Sequence, residues 1–241
     1  MAAIVPAAGC GARTGLNQNK ILAPICGQPL LSWTLRAINE AAPRLRNLGI
    51  ELTQILIAAR EEERESLHPF IPHHSSFIVL VPGGETRQQS VANAARKADA
   101  DFLLVHDAAR PLVSIDLIER VTQAALQSGA AIAALPASDT IKIARKEGGV
   151  AVVGSTPSRS DVWLAQTPQI FRRELFLRAL EYAERENFQG TDCASLVENI
   201  GENVVLVRGE IENFKVTFAE DLVRAQTILK ARLTARENAL N

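Results

Sequence analysis

Short apolar segments alternate along the chain with longer segments in which apolar residues recur at helical spacing. The short segments predict strands at Ala2–Pro6, Gln54–Ala59, Phe77–Val81, Phe102–His106, Ala130–Leu135, near Gln166–Phe171 and near Asn203–Val207. The amphipathic segments predict helices at Pro29–Ala42, Thr86–Lys97, Ile115–Ser128, Arg172–Glu186, Asp192–Asn199 and Phe218–Leu233. This alternation is typical of an α/β fold, with a mostly parallel twisted sheet and helices on both faces.

One stretch, residues 139–165, breaks the alternation. Thr140–Ala144 and Ala151–Val153 flank the turn-prone sequence Lys146-Glu147-Gly148-Gly149, which predicts a projecting β-hairpin. Because an isolated two-stranded hairpin is marginally stable in water, we expect this arm to pack against another surface, and a second copy of the chain is the obvious candidate. The prediction is therefore a single domain over residues 1–241 with a dimerisation arm at about 139–165.

The last helix has its own start and end signals. Thr217 and Glu220 form a T-x-x-E capping box, which predicts its first turn. The residues after Leu233 lose the pattern and predict a frayed tail.

Composition narrows the function classes. The 241 residues are 47% hydrophobic and 22% charged, an ordinary globular composition. A formal net charge of -1 provides no global basic field for nucleic acid or anionic membrane, so local clusters must meet any polyanionic substrate. Three cysteines without C-x-x-C spacing favour neither a disulfide framework nor a zinc site. Without a secretory pattern or a run of about 18 apolar residues, a cytoplasmic location is expected.

The most informative motif follows the first predicted strand. The sequence Pro6-Ala7-Ala8-Gly9-Cys10-Gly11-Ala12-Arg13 places two glycines just past the strand, and Lys20 follows. Glycine lets the backbone turn tightly and approach a phosphate, and the N–H groups of such a turn form an anion-binding concavity. Arg13 and Lys20 add fixed positive charge. The motif therefore suggests a nucleoside triphosphate site.

Other interpretations of the glycines remain open. A P-loop requires Ser or Thr directly after its lysine, whereas Lys20 precedes Ile21. A dinucleotide fingerprint, as in a dehydrogenase, requires a third glycine one place before Gly15 and a helix that the next segment does not predict. A turn whose glycines serve geometry alone is the third alternative, and the nearby charges count against it.

Two further loops follow predicted strands, where open α/β sheets bind ligands. The loop Pro82-Gly83-Gly84-Glu85-Thr86-Arg87-Gln88-Gln89-Ser90 leads into a helix N-terminus, whose backbone donors could contact a base or an anion. In His106-Asp107-Ala108-Ala109-Arg110-Pro111, Asp107 could hold a ribose hydroxyl or a magnesium ion, and Arg110 could contact a phosphate. An ordinary capped helix start and a surface Asp–Arg pair are the alternatives.

Several motifs in one order carry a family resemblance. They are Pro6-Ala7-Ala8-Gly9-x-Gly11-x-Arg13 with Lys20, Gly83-Gly84-x-Thr86-Arg87-Gln88-x-Ser90-Val91, Val105-His106-Asp107-Ala108-Ala109-Arg110-Pro111, Asp139-Thr140-Ile141-Lys142, Trp163-x-x-Gln166-Thr167-Pro168-Gln169-x-Phe171, Thr191-Asp192 and Asn213-x-Lys215-Val216-Thr217. From residue 2 to about residue 230 the chain resembles the 2-C-methyl-D-erythritol 4-phosphate cytidylyltransferase family. One departure is Asn19-Lys20-Ile21, where many members carry Pro-Lys-Gln.

The resemblance implies a Rossmann-like nucleotidyltransferase fold and a homodimer whose arms cross. The implied reaction joins CTP and 2-C-methyl-D-erythritol 4-phosphate, with Mg²⁺, to give the CDP-alcohol and diphosphate in non-mevalonate isoprenoid biosynthesis. It implies catalytic roles for Arg13, Lys20, Arg159 and Lys215. It implies substrate binding by Ala7, Ala8, Gly9, Gly11, Gly84, Ser90, Asp107, Ala108, Arg110, Thr140, Thr167 and Thr191. No protein ligand for the metal is firmly assigned, and Asp107 is the candidate.

The chemistry explains this choice of residues independently. A phosphate oxygen that attacks the α-phosphorus of a nucleotide brings two anions together, so the obstacles are repulsion and alignment. Arginine and lysine are therefore favoured over a protein nucleophile. A cytidylyltransferase for another polyol phosphate, such as ribitol 5-phosphate, and a non-catalytic nucleotide-binding dimer remain the alternative functions.

Overall fold

The computed structural model of the chain describes residues 1–9, 19–67, 69 and 77–240. The strands in this part of the chain are β1 (Ala2–Pro6), β2 (Pro24–Ile25), β3 (Gln28–Pro29), β4 (Gln54–Ala59), β5 (Ile78–Pro82), β6 (Phe102–Val105), β7 (Ala130–Pro136), β8 (Ile143–Glu147), β9 (Val150–Ser155), β10 (Trp163–Arg172) and β11 (Val205–Arg208). The helices are α1 (Leu30–Asn47), α2 (Arg64–Leu67), α3 (Arg87–Lys97), α4 (Ile115–Ser128), α5 (Arg173–Arg185), α6 (Ala194–Glu198) and α7 (Ala219–Leu240).

A seven-stranded sheet with the order β11-β7-β10-β6-β1-β4-β5 forms the centre of the fold. Only β10 runs antiparallel to its neighbours in this sheet, β6 and β7, so the predicted mostly parallel sheet is confirmed. From β1 the chain proceeds to β4 and β5, then returns to β6 on the other side of β1. The carboxyl ends of β1 and β6 therefore meet at a topological switch point, where such sheets bind ligands.

Helices cover both faces of the sheet, as the sequence predicts. Side chains of β1 alternate between the two faces because the strand period is two. Ala3 and Val5 face a core that includes α1 and α4, whereas Ala2 and Ile4 face a core that includes α3, α5 and α6. Since all four side chains are fully buried, the central strand is held rigidly between the layers.

Some helix bounds differ from the predictions. Helix α1 passes through Pro43 and continues to Asn47, because Leu45 extends its buried stripe and is itself fully buried. Helix α7 continues to Leu240, so the prediction of a frayed tail after Leu233 is wrong. An ion pair between Arg236 and Glu40 of α1, with an N–O distance of 2.8 Å, connects this last segment to α1. In the described part of the chain, no helix is both long enough and apolar enough to cross a membrane.

The start of α7 also differs from the prediction. Asp221 Oδ2 accepts hydrogen bonds from the backbone N–H groups of Thr217, at 2.8 Å, and Phe218, at 2.9 Å. The Thr217 hydroxyl instead donates to the Lys215 carbonyl at 3.2 Å. The predicted capping box of Thr217 and Glu220 is therefore wrong, because the carboxylate that satisfies the free N–H groups belongs to the next residue.

The predicted hairpin is present as β8 and β9, although it begins at Ile143 rather than Thr140. Its turn residues Gly148 and Gly149 have φ angles of 55° and 83°. Two consecutive positive φ angles characterise the type I′ turn, which matches the twist of a hairpin and favours glycine. Every residue of β8 is exposed, and Val152 is the only partly buried residue of β9. The hairpin therefore projects from the sheet.

Candidate active site

A cavity of about 380 Å³ opens at the switch point between β1 and β6. Its walls come from the end of β1, the turn at Lys20, the loop between β5 and α3, the exit of β6, and the segment before α7. The predicted site residues that line it are Ala7, Ala8, Gly9, Lys20, Gly84, Ser90, Asp107, Ala108 and Lys215. Gly11 and Arg13 lie outside the described residues.

Asp107 is the centre of a charged cluster in this cavity. Its Oδ1 accepts a hydrogen bond from Arg87 Nε at 3.0 Å, and its Oδ2 accepts one from Lys215 Nζ at 2.8 Å. Arg110 Nε lies 3.9 Å from Oδ2. Burial alone would raise the pKa of this carboxyl, but the cations, led by Arg87, lower the pKa well below its usual range. One anion among three cations leaves the cluster with a net charge of about +2.

The loop that carries Asp107 is fixed by a chain of hydrogen bonds. His106 is fully buried, and its burial lowers the pKa of the imidazole to about 4. His106 Nε2 lies 3.1 Å from the Arg110 carbonyl, which can only accept, so Nε2 carries the proton. Nδ1 then accepts from the Thr167 hydroxyl at 3.0 Å, and that hydroxyl accepts from the Asp107 backbone N–H at 3.0 Å. Thr167 therefore lies behind Asp107, outside the cavity lining.

Arg110 lies beside the cavity and connects two of its walls. The residue is 8% exposed, and one guanidinium nitrogen donates to the Asn213 carbonyl at 2.6 Å. The Asn213 amide in turn donates to the Thr167 carbonyl at 2.7 Å. These bonds hold the segment of Lys215 against the loop of Asp107.

The loop between β5 and α3 is shaped by a glycine, which has no side chain, and by one serine hydroxyl. A Cβ at Gly83 would lie 2.6 Å from Ala8 Cβ, so only glycine permits this close approach. The Ser90 hydroxyl donates to the Thr86 carbonyl at 2.9 Å and accepts from the Gly84 N–H at 3.0 Å. Thr86 also forms a capping box with Gln89 at the start of α3, so the ordinary capped helix start is present as well.

Besides Arg110 and Thr167, three predicted site residues lie away from the cavity lining. Thr140 and Arg159 are exposed on the segments that flank the hairpin, and one Arg159 guanidinium nitrogen donates to the Ser138 carbonyl at 3.1 Å. Thr191 is exposed in the loop before α6. This chain alone does not bring these three side chains to the Asp107 cluster.

Two further residues shape the site, although no role could be assigned to either of them from the sequence. Arg87 lines the cavity, and its guanidinium also donates to Cys193 Sγ at 3.4 Å. Its place in the Thr86-Arg87-Gln88 motif was a usable signal, because a basic residue in the first turn of a helix is unfavourable without a partner. Asn19 is the second residue; in the sequence it stands out only as a departure from the Pro-Lys-Gln pattern, and its contacts are described below. Its polar side chain gave no signal in the sequence that it is buried.

Comparison with known proteins identifies the family of the chain. The family model for 2-C-methyl-D-erythritol 4-phosphate cytidylyltransferase matches residues 1–231. The enzymes of that name from Bacillus pumilus and Shouchella clausii are 39% and 41% identical to this chain, over 95% and 96% of it and 96% and 97% of their own lengths. The crystal structure of the Thermus thermophilus enzyme of that name superposes with a TM-score of 0.74 at 34% identity, covering 94% of this chain and 98% of its own. The chain belongs to the 2-C-methyl-D-erythritol 4-phosphate cytidylyltransferase family.

Proposed function

We propose that the chain transfers the cytidylyl group of CTP to 2-C-methyl-D-erythritol 4-phosphate, in the non-mevalonate route to isoprenoids. An oxygen of the 4-phosphate attacks the α-phosphorus of CTP, a new P–O bond forms, and the bond from the α-phosphorus to the bridging oxygen breaks. The products are 4-diphosphocytidyl-2-C-methyl-D-erythritol and diphosphate. The carrying observation is the net positive Asp107 cluster in a switch-point cavity of a chain that belongs to this family along almost its whole length.

The reaction needs cations more than it needs a protein nucleophile. The attacking phosphate and the triphosphate are both anionic, so the barrier consists mainly of repulsion and alignment. We assign Lys20 and Arg13 to the charge that develops on the α-phosphate, and Lys215 and Arg110 to the attacking phosphate. Because Lys20 and Lys215 line the same cavity, both ammonium groups can serve one reacting centre.

We assign recognition of the cytosine base to the loop of Gly84 and Ser90. The Ser90 hydroxyl proton is committed to the Thr86 carbonyl, so toward the cavity this oxygen can only accept a hydrogen bond. The exocyclic amino group of cytosine is a donor, whereas the corresponding group of uracil is an acceptor. The committed hydroxyl therefore favours CTP over UTP, and the small cavity disfavours a purine.

Two carboxylates that could contact a magnesium ion, Asp107 and Glu85, line this cavity. Mg²⁺ usually binds through one or two carboxylates together with substrate phosphates. Among the described residues, no group of three or more His, Cys, Asp and Glu side chains gathers into a metal cage. We therefore propose that CTP supplies most of the ligands and that Asp107 is the carboxylate that would hold the ion. When bound, Mg²⁺ would neutralise charge on the triphosphate and fix its geometry.

We also propose a homodimer in which each arm completes the partner's site. The arm and its base expose large apolar side chains, which is unfavourable unless another surface covers them; these are Ile143, Val150, Val153, Trp163, Leu164 and, beside them, Ile211. Thr140 and Arg159 flank this arm, and a twofold dimer would bring both to the partner's cavity reciprocally. The single domain of residues 1–241 and the cytoplasmic location stay predictions of the sequence.

Diphosphate release tests the proposed reaction. Purified protein with Mg²⁺ and CTP should release diphosphate when 2-C-methyl-D-erythritol 4-phosphate is added, and much more slowly with ribitol 5-phosphate or with UTP. Addition of EDTA should abolish release. No release with the methylerythritol substrate would contradict the proposal, and equal rates with ribitol 5-phosphate would favour the alternative cytidylyltransferase.

Complementation tests the shared arm. Lys20→Ala and Arg159→Ala chains, each inactive alone, should regain activity after subunit exchange, because every mixed dimer would contain one intact site and one doubly damaged site. Verified exchange without recovery would show that each arm serves its own chain.

A further inference from the structure

The side chain of Asn19 connects three segments around the predicted catalytic lysine. Its amide nitrogen donates to the Ala7 carbonyl and to Glu63 Oε1, both at 3.0 Å. Its amide oxygen accepts from the Ile21 backbone N–H at 3.3 Å and so caps the 3₁₀ turn Lys20–Leu22. Asn19 is 7% exposed, so these bonds are made in a largely dry environment.

Each partner of Asn19 is itself anchored. The Ala7 N–H donates to the Ala58 carbonyl of β4 at 2.7 Å, which fixes the end of β1. Glu63 closes the 3₁₀ turn Glu61–Glu63 after β4. Ile21 is 3% exposed and packs in the core that includes α1. Lys20 thus lies between two buried neighbours, and its backbone is held from both sides.

We propose that Asn19 is a positioning residue that holds Lys20 at the reacting phosphate. This inference rests on the proposed function, in which Lys20 stabilises charge on the α-phosphate. Only a primary amide supplies two N–H donors and an acceptor on one carbon at this position. An aspartate would instead place a carboxylate against the Ala7 carbonyl and Glu63, which are both acceptors.

The expected effect falls on the chemical step rather than on nucleotide binding. A stabilising cation that is displaced by about 1 Å can cost about 100-fold in rate. Removing the amide should leave the turn partly formed, because Ile21 remains buried. We therefore expect Asn19→Ala to lower kcat about 10- to 100-fold and to leave the KM for CTP nearly unchanged.

A double-mutant cycle separates positioning from a general structural role. Wild type, Asn19→Ala, Lys20→Ala and the double variant are compared by diphosphate release with labelled CTP, so that low residual rates are measurable. If Asn19 acts through Lys20, Asn19→Ala should cause no further loss in the Lys20→Ala background. Asn39→Ala, on the exposed face of α1, is the control of the same residue type and should keep the wild-type kcat.

Each outcome decides the proposal. Equal losses from Asn19→Ala in both backgrounds, or an unchanged kcat in Asn19→Ala, would overturn it. If Asn19→Ala does not fold, Asn19→Ser replaces it in the same cycle, because serine still caps the turn but is too short to reach Glu63. If the wild type releases no diphosphate, the proposed function fails and this inference fails with it. If the wild type is active and Lys20→Ala is impaired but the cycle is additive, only the positioning role fails.

Discussion

Asp107→Asn should destabilise the fold measurably, because it removes the only anion from the centre of the charged cluster described above. The side chain of Asp107 is 10% exposed, and its partners Arg87 and Lys215 approach its oxygens at 3.0 and 2.8 Å. A single pair at about 4 Å is worth roughly 4 kcal/mol at an effective dielectric constant of about 20. The variant loses this attraction and leaves three cations facing one another.

The expected loss of unfolding free energy is smaller than the attraction of Asp107 to all of its cations added together. Removing one partner of a buried ion pair typically costs about 3–5 kcal/mol. The side chains of Arg87 and Lys215 are 31% and 38% exposed, so water screens part of the charge that is left. We therefore expect a destabilisation of about 2–4 kcal/mol at neutral pH, measured by urea unfolding. Asp116→Asn, which removes an exposed carboxylate paired with Arg44, is the matched control and should cost about 0–1 kcal/mol.

The pH dependence of this difference has a definite sign. The pKa of Asp107 in the folded state is below its usual value, so between the two pKa values the unfolded chain binds more protons than the folded chain. The stabilisation by Asp107 is therefore fully present above the unfolded pKa of about 3.9 and decreases as pH falls below it. The difference in unfolding free energy between wild type and Asp107→Asn should be constant from about pH 8 to pH 5 and should become smaller below about pH 4. A variant as stable as wild type at pH 7, or a gap that widens in acid, would refute this reasoning.

Three further predictions concern catalysis and nucleotide binding. Lys215→Ala should lower kcat about 100- to 1000-fold in the diphosphate assay. Lys230→Ala removes an exposed lysine of α7 and should keep the wild-type kcat, so equal effects of the two variants would contradict a specific role of Lys215. Gly83→Ala should raise the CTP dissociation constant, measured by calorimetry, and cost about 1–3 kcal/mol of stability, because the new Cβ would clash with Ala8. Unchanged CTP binding would contradict the close approach of Gly83 to Ala8. Ser90→Ala should narrow the ratio of kcat/KM for CTP over UTP, and an unchanged ratio would remove Ser90 from base recognition.

The sheet and the position of the cavity could be predicted from the sequence, because both depend on local patterns. The apolar segment Ala2–Pro6 predicts a buried strand, and the glycines after it predict where the chain can approach a phosphate. The ends of helices were less predictable where tertiary packing outweighs a local sequence signal. Pro43 is a helix breaker by propensity, yet α1 continues past it because Leu45 is buried.

The partners within the site could not be predicted in the same way. Lys215 and Asp107 are separated by 108 positions, and no periodicity connects residues so far apart. The family resemblance implies that Ser90 binds substrate, but which hydrogen bond of its hydroxyl remains for a ligand depends on the Thr86 carbonyl, which only the folded loop supplies. The burial of Asn19 could not be predicted, because a buried amide needs hydrogen-bond partners, and these come from β1 and from the turn after β4.

The buried aspartate in a cavity proposed to bind two polyanions has an electrostatic reason. Without Asp107, Arg87, Lys215 and Arg110 would repel one another, and the loops that carry them would separate in the free protein. The carboxylate holds the cations together before substrate arrives, yet the cluster keeps a net charge of about +2, which still attracts phosphate. A site assembled in advance avoids the cost of reorganisation during the reaction, which is the main advantage of preorganised charge. Asp107 therefore supports catalysis in this proposal even where it touches no substrate atom.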